Sequence, residues 1–373
     1  MANNNLKTYE LQDITYYKTY GRYATENQVP FPLFSNGYGI EVLVTGSELW
    51  IDVEVDYNVF EPWIFTEIDG AFMSRQMLNP GSQSICLFRR ENFDRKKKVR
   101  FFRELQAMAD DPDCKLLIKG FKTDGDFFPV PDKKYKLEFL GDSITSGEGT
   151  YGIIDEAEWL PMYMSYSNDY AKMIADRMDA DFHILSNGGY GVFTGWNNDF
   201  SHNIPAFYEK VCGILTGDTN KELGALEDYD FSWQADAIII NLGANDNISF
   251  YNPPFTDPIT GETTQMRLNE DGSFNTEDLK KITDAVINLL KMLRKHNPNT
   301  HLIWTFGMLE SENDLGSSIR KAVNEYKSTY KDENAAYLEL PATKEGEFGS
   351  RWHPGVGMHR KAADLIVEHL KNL

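Results

Sequence analysis

Residues 135–147, with the sequence YKLEFLGDSITSG, decide how this chain is interpreted. The stretch opens with an apolar run typical of a buried strand, and Gly141 then permits a tight turn that presents the hydroxyl of Ser143. A hydroxyl at the carboxyl end of a strand lies where open α/β sheets place their chemistry. The backbone N–H groups of such a turn are free to bind a developing anion. Because Gly-Asp-Ser is also common in purely structural turns, the interpretation needs support from other segments.

Three further segments supply the other parts of a serine hydrolase, and each directly follows a predicted strand. They are Asn187-Gly188-Gly189-Tyr190-Gly191 after residues 182–185, Gly243-Ala244-Asn245-Asp246 after 237–240, and Trp352-His353-Pro354 after 336–340. Because the carboxyl ends of parallel strands meet at one edge of a sheet, we expect these segments to converge. The ordered set resembles the SGNH hydrolase superfamily, also called GDSL esterases, over residues 135–373. The Gly-x-Ser-x-Gly elbow of α/β-hydrolases is absent, because Thr145 takes the second Gly position.

The two parts of the chain differ in their apolar pattern. Residues 38–55 alternate on either side of Thr45-Gly46-Ser47-Glu48, which predicts a β-hairpin with one solvated face. Further strands are expected at 62–68, 84–89, 97–104 and 115–121, so we predict an all-β jelly-roll sandwich domain over residues 1–130. From 131 to 373, strands alternate with helices such as 276–296. This second pattern predicts an α/β domain with a parallel, doubly wound sheet of five strands and flanking helices.

The two parts together resemble carbohydrate esterase family two, whose members carry a jelly roll ahead of the SGNH hydrolase domain. The matching stretches are Gly39-Ile40-Glu41, Glu61-Pro62-Trp63-Ile64, and residues 127–131 running into the Gly-Asp-Ser turn. The resemblance implies a serine esterase that removes O-acetyl groups from plant oligo- or polysaccharides, such as xylan or mannan, through an acyl-enzyme. Such an enzyme needs no cofactor, and its partner is the acetylated carbohydrate.

Ser143 is the predicted nucleophile and His353 the predicted base, since a Ser hydroxyl needs an adjacent base and a neutral imidazole exchanges a proton near pH 7. By resemblance, the oxyanion hole consists of the Ser143 N–H, the Gly189 N–H and the Asn245 side-chain amide. Gly188 and Gly191 are alternatives to Gly189, and all three could be turn glycines.

Four residues beside these motifs are candidate substrate-binding residues: Asp142, Tyr190, Trp196 and Trp352. Aromatic faces stack on the apolar faces of sugar rings, although packing within the protein is the alternative for each ring. The remaining histidines show no ligand spacing with Cys or acidic residues, so we expect no metal site.

One position departs from the superfamily pattern, which usually has Asp three residues before the catalytic His. Here that residue is Ser350. By resemblance to some family members, our preferred interpretation is a Ser–His dyad in which a backbone carbonyl orients the imidazole. An acid from elsewhere, such as Glu345 or Glu347, is one alternative, and an inactive sugar-binding relic is another.

The composition limits the partners and the compartment. A formal net charge of −20 over 373 residues argues against nucleic acid or an anionic membrane. Cys86, Cys114 and Cys212 are odd in number, lack metal-ligand spacing and indicate reduced thiols. No apolar signal core opens the chain, which favours the cytoplasm, or secretion if a signal peptide had been removed. An esterase or thioesterase for another acyl group remains an alternative, and the pattern does not indicate an oligomeric state.

Overall fold

The computed structural model describes residues 6–24, 28–309 and 314–373. Residues 1–5, on which the expectation about a signal peptide partly depends, lie outside this description. The chain divides into two compact units, Met1–Lys133 with Lys210–Asp230, and Lys134–Glu209 with Phe231–Leu373. The segment Lys210–Asp230, which lies within the range predicted for the second domain, belongs to the first unit. The bounds 1–130 and 131–373 stay a prediction.

Two antiparallel sheets form the β-sandwich of the first unit. Its strands are β1 (Lys7–Glu10), β2 (Lys18–Tyr20), β3 (Phe31–Pro32), β4 (Gly39–Val44), β5 (Glu48–Asp56), β6 (Trp63–Ile68), β7 (Ala71–Met77), β8 (Gly81–Arg89), β9 (Lys97–Arg103), β10 (Lys115–Thr123) and β11 (Phe127–Phe128). One sheet has the order β1-β10-β5-β8 with β3 also on β10, and the other has the order β11-β4-β9-β6-β7 with β2 on β4.

The alternation predicted for β5 is present, because Leu49, Ile51, Val53 and Val55 are buried while the residues between them are more open. The predicted pairing of β4 with β5 as a hairpin is wrong, since the two strands belong to different sheets. The turn between them instead carries the chain across the sandwich. Asp124 holds it by accepting from Ser47 N at 2.8 Å. Both strands can then direct an apolar face into the same core.

The second unit contains a parallel five-stranded sheet with the order β13-β12-β14-β17-β18. Its strands are β12 (Tyr135–Gly141), β13 (Ala180–Ser186), β14 (Ala237–Asn241), β17 (His301–Met308) and β18 (Ala335–Ala342); β15 (Phe255–Thr256) and β16 (Thr263–Thr264) form a separate antiparallel pair. This confirms the predicted α/β sheet. The order places a topological switch at β12, the strand that precedes Ser143.

Helices follow the strands of this sheet, as the alternating pattern predicted. They are α1 (Tyr170–Met178), α3 (Ala244–Ser249), α4 (Thr276–His296), α5 (Asp314–Tyr330) and α6 (Val356–Leu370), while the short α2 (Asp218–Glu222) lies in the first unit; 3-10 turns span Leu11–Asp13, Pro161–Tyr163, Tyr166–Asn168, Ile204–Phe207 and Ser350–Trp352. Helix α4 has the predicted bounds, and Asn275 caps it by accepting from Glu277 N and Asp278 N.

The register of the sheet brings three of the predicted motifs to one edge. Gly141 at the end of β12 pairs with Ser186 at the end of β13 and with Asn241 at the end of β14. The segments that follow these three residues therefore leave the sheet side by side.

Across the described residues, no helix has both the length and the apolar character that a membrane crossing demands.

Candidate active site

Ser143 stands two residues beyond β12 in a turn that only glycine can start. A Cβ on Gly141 would lie 1.9 Å from Thr145 Oγ1, so a side chain at 141 would displace the turn. Asp142 Oδ1 accepts from Ile144 N at 3.0 Å, and Ser143 O accepts from Glu148 N at 2.9 Å. These bonds fix the backbone around Ser143, whose surface is 7% exposed.

His353 reaches Ser143 from the loop between β18 and α6. Its Nε2 lies 2.9 Å from Ser143 Oγ, and its Nδ1 lies 2.9 Å from the main-chain oxygen of Arg351. A carbonyl oxygen only accepts, so the proton of a neutral imidazole sits on Nδ1 and Nε2 accepts from the hydroxyl. This is the geometry that the dyad interpretation predicted, with a main-chain oxygen where a triad has a carboxylate.

The acids considered as alternatives lie elsewhere in this loop. Glu347 pairs with Lys361 and accepts from Lys344 N at 3.2 Å, and Glu345 is exposed. Ser350, at the usual Asp position, is buried, and its N–H donates to Gly149 O and Tyr151 O at 3.0 and 3.1 Å. Hydrogen bonds from the backbone of Ser350 thus join the histidine loop to the turn that follows Ser143.

Sequence reasoning did not single out Glu148, which lies within this site. Its side chain is 6% exposed, and Oε1 is 2.5 Å from Arg351 Nη1 and 3.8 Å from His353 Nε2. An acidic residue between Gly147 and Gly149 was the available signal, because glycines on both sides permit a close approach of backbone to backbone.

Asn245 joins the segment after β14 to the segment after β13. Its Nδ2 donates to Tyr190 O at 2.8 Å, which leaves one of its two amide hydrogens for another acceptor. Gly189 has φ +81°, a conformation that favours glycine, whereas a Cβ on Gly191 would lie 2.3 Å from Asp246 Oδ2. Both glycines are therefore required locally, Gly189 by its backbone and Gly191 by its neighbour.

Asp246, which follows Asn245, was also missed as an organiser of this edge. Its carboxylate accepts from Val192 N and Phe193 N at 2.8 Å each and from Thr194 N at 3.1 Å. Although these three bonds favour the ionised form, complete burial raises the pKa of Asp246 to about 6. The loop after β13 thus takes its shape from a side chain on α3.

The candidate substrate-binding residues differ in how far solvent reaches them. Asp142 is fully buried, and burial, with repulsion from Asp246, raises its pKa to about 7. Tyr190 is 7% exposed and stacks on His202 at a ring separation of 4.7 Å, which fits the packing alternative. Trp196 and Trp352 are 50% and 64% exposed. These two tryptophans are the rings of the set that are open to solvent.

The arrangement provides a hydroxyl, an imidazole with a fixed tautomer, and amide donors near the end of one sheet. Such a set performs acyl transfer by nucleophilic catalysis without a metal ion or cofactor. In the part of the chain that the structure describes, no three His, Cys, Asp or Glu side chains are grouped so that they could hold a metal ion.

Comparison with known proteins places these features in context. The family model for GDSL-like lipases and acylhydrolases matches residues 137–366. An acetyl xylan esterase from the rumen bacterium Butyrivibrio proteoclasticus is 52% identical, with a TM-score of 0.95 and coverage of 98% of each chain. A family two carbohydrate esterase from Clostridium thermocellum, solved with cellohexaose, is 20% identical with a TM-score of 0.77, covering 95% of this chain and 98% of that one. The cellulase/esterase CelE of Acetivibrio thermocellus is 22% identical over 90% of this chain, which spans 36% of that protein.

Proposed function

The chain belongs to the GDSL-like lipase and acylhydrolase family, and we propose that it removes acetyl groups from acetylated plant oligo- or polysaccharides of the xylan or mannan type. The observation that carries the proposal is the 2.9 Å contact between Ser143 Oγ and His353 Nε2, with Nδ1 held by a carbonyl. The 52% identity to an acetyl xylan esterase supports the choice of acyl group and carbohydrate. In this proposal, residues 131–373 form the catalytic domain and residues 1–130 the jelly-roll domain.

In the first half of the reaction, His353 Nε2 takes the hydroxyl proton as Ser143 Oγ attacks the acetyl carbonyl carbon. The negative charge that develops on the carbonyl oxygen is bound by the N–H groups of Ser143 and Gly189 and by the free amide hydrogen of Asn245. Each such donor contributes about 3 kcal/mol to the stability of the transition state. The imidazolium then gives its proton to the sugar oxygen, the ester bond breaks, and the acetyl group stays on Ser143.

In the second half, water attacks the acetyl-enzyme while His353 Nε2 accepts the proton of that water. The proton returns to Ser143 Oγ, and acetate leaves. Throughout both halves, the Arg351 carbonyl keeps the imidazole in one tautomer. A carbonyl offers the imidazolium a dipole where an Asp would offer a full charge, so this site relies on orientation more than on charge.

The proposal is tested by measuring acetate released from a panel of acetylated xylo- and manno-oligosaccharides. Butyryl esters and an acyl thioester serve as competing substrates that represent the alternative acyl groups. We expect acetate release from at least one oligosaccharide series, with a kcat/KM above that for the butyryl ester and the thioester. Ser143→Ala serves as the matched inactive variant, and its circular dichroism should equal that of the wild type. Removing a nucleophile costs on the order of 10⁶ in turnover, so retention of more than about a hundredth of the activity would contradict the role of Ser143.

A further inference from the structure

Glu148 has no part in the reaction as described, although its carboxylate lies inside the candidate site. The side chain is 6% exposed and is bound to Arg351 Nη1 at 2.5 Å. A buried carboxylate is costly unless it is paired, so Arg351 is what allows an acidic residue at this position. Charge-assisted bonds of this kind are shorter and stronger than neutral ones.

The main chain of Glu148 forms a hydrogen bond with Ser143. Its main-chain N–H donates to Ser143 O at 2.9 Å, so the residue belongs to the turn that holds the Ser143 hydroxyl. Gly149 and Tyr151, just beyond it, accept the Ser350 N–H. Glu148 therefore lies where the nucleophile turn and the histidine loop meet.

The side chain of Glu148 binds Arg351, and three groups of Arg351 form hydrogen bonds. Arg351 N donates to Glu156 O at 3.0 Å, Nη1 donates to Glu148 Oε1, and Arg351 O accepts from His353 Nδ1 at 2.9 Å. The backbone at Arg351 has φ 53° and ψ 34°, and Trp352 has φ 59°. A left-handed conformation is unfavourable for a residue with a side chain, so two in succession persist only when their surroundings hold them.

We propose that Glu148 is a positioning residue that holds Arg351 in this left-handed conformation and so directs the Arg351 carbonyl at His353 Nδ1. The inference rests on the proposed function for its kinetic consequence. In a triad, an Asp three residues before the histidine orients the imidazole. In this proposal, an ion pair between two loops performs that task. The Glu148 carboxylate, 3.8 Å from Nε2, also faces the imidazolium formed in the reaction, while Arg351 balances its charge at rest.

The kinetic test uses Glu148→Ala, Glu148→Gln and Arg351→Ala in the full chain, with 4-nitrophenyl acetate as substrate. A misplaced catalytic group costs about 10²-fold, so we expect kcat of Glu148→Ala and of Arg351→Ala to fall by about that factor. KM should change by less than about twofold, because the proposed effect is on the orientation of the base and not on the binding of the ester. Glu148→Gln should recover part of kcat, since its amide oxygen still accepts from Arg351.

A matched control separates positioning from general stability. Arg294 and Asp332 form another ion pair in the same unit, at 2.8 and 3.0 Å. Asp332 precedes the start of β18, whereas the histidine loop follows the end of that strand. Asp332→Asn should lower the thermal midpoint while leaving kcat unchanged. If Glu148→Ala lowered kcat no more than Asp332→Asn did at equal loss of stability, the positioning role would be wrong.

The tautomer of His353 gives a readout that needs no activity. The chain has seven histidines, and ¹⁵N-histidine NMR with His353→Gln as the assignment variant identifies the signal of His353. We expect the Nδ1–H form in the wild type and a mixture of tautomers in Glu148→Ala. If that variant does not fold, Arg351→Ala, which removes the same ion pair, decides. An unaltered tautomer in the folded variants that lack the ion pair overturns the inference, whereas a wild type that keeps this tautomer but releases no acetate refutes only the proposed function.

Discussion

Gly149 lies against His353 so closely that a Cβ added to the glycine would be 2.6 Å from His353 Cβ. The same atom would lie 2.3 Å from the main-chain oxygen of Ser350, and Gly149 has φ +63°. The turn after Ser143 and the loop that carries His353 are therefore in contact through their backbones. This backbone contact therefore helps to set the distance between Ser143 and His353.

Gly149→Ala should therefore displace the histidine loop as well as strain the turn. The left-handed conformation costs about 1–2 kcal/mol, and the clash with backbone atoms adds to it because backbone cannot move aside as a flexible side chain can. We expect the thermal midpoint to fall and kcat for an aryl acetate to fall at least tenfold.

The matched control for this substitution is Gly272→Ala. Gly272 has φ +82°, and nothing lies within 4 Å of the position of its Cβ. This variant carries the conformational strain without the clash, so its kcat should equal that of the wild type. Equal kcat values for the two variants would contradict the importance of the Gly149 contact.

Asp246→Asn should loosen the loop that presents Gly189. The carboxylate accepts from the N–H groups of Val192, Phe193 and Thr194, and an amide directs its own hydrogens at one of these donors. Leaving a buried donor unsatisfied costs about 1–3 kcal/mol. We expect faster hydrogen exchange over residues 189–194 and a lower kcat. The control is Asp271→Asn, because Asp271 is exposed and accepts from Ser273 N at 3.0 Å. This variant should leave the hydrogen exchange over residues 189–194 and kcat unchanged.

The two buried acids should make the protein less stable as the pH rises. Burial raises the pKa of Asp142 from 3.8 to about 7, and that of Asp246 to about 6, so the folded state binds protons that the unfolded chain releases. The stability from the bound proton is fully present below about pH 4 and is lost as the pH rises through about 7. Unfolding by denaturant at about pH 5 and pH 8 measures this loss as a difference in the free energy of unfolding. Asp142→Asn should reduce the difference, and an unchanged difference in that variant would exclude Asp142 as its source.

Trp196 and Trp352 should matter for carbohydrate esters and not for small ones. Both rings are at least half exposed, so they can stack on a sugar. We expect Trp196→Ala and Trp352→Ala each to lower kcat/KM for an acetylated oligosaccharide about tenfold, chiefly through KM, with 4-nitrophenyl acetate little affected. Phe72→Ala, at a 50% exposed aromatic in the other unit, is the control. An equal effect on both substrates would argue against stacking.

Local patterns predicted the sheet and named Ser143 and His353 as candidates, because strands, helices and motifs are each recognised from neighbouring residues in the sequence. The apolar run of β14 and the spacing of apolar residues along α4 identify a strand and a helix from the local sequence alone. Strand β7 was missed because Phe72, Met73 and Met77 are exposed and do not alternate. Its strand conformation comes from pairing with β6. The sequence pattern likewise could not separate a hairpin from a crossing between sheets at residues 45–48, since both need a glycine turn.

The parts of the site that escaped prediction depend on contacts between distant residues. Glu148 meets Arg351 across 203 positions of sequence, and Asp246 reaches Val192 across 54. The periodicity of apolar residues reports local structure, so it does not reveal contacts between residues so far apart in sequence. Ser143 and His353 could be named from the sequence because each lies in a recognisable motif, whereas no motif marks the contacts of Glu148 or Asp246.

Ser350→Ala should leave most activity intact, even though position 350 is where the superfamily usually carries an acid. The side chain there has no charge to lose, and the Nδ1 nitrogen of His353 faces the Arg351 carbonyl at 2.9 Å. What Ser350 contributes to the loop is its main-chain N–H, donated to Gly149 O and Tyr151 O, and alanine keeps that group. In a triad, spoiling the acid costs roughly 10⁴ in turnover. We therefore expect kcat of Ser350→Ala to stay within about threefold of the wild type. Arg351→Ala, measured beside it, removes the side chain that is proposed to hold the Arg351 carbonyl in place. A loss of several orders of magnitude in Ser350→Ala would show that the hydroxyl, and not the carbonyl, orients the base.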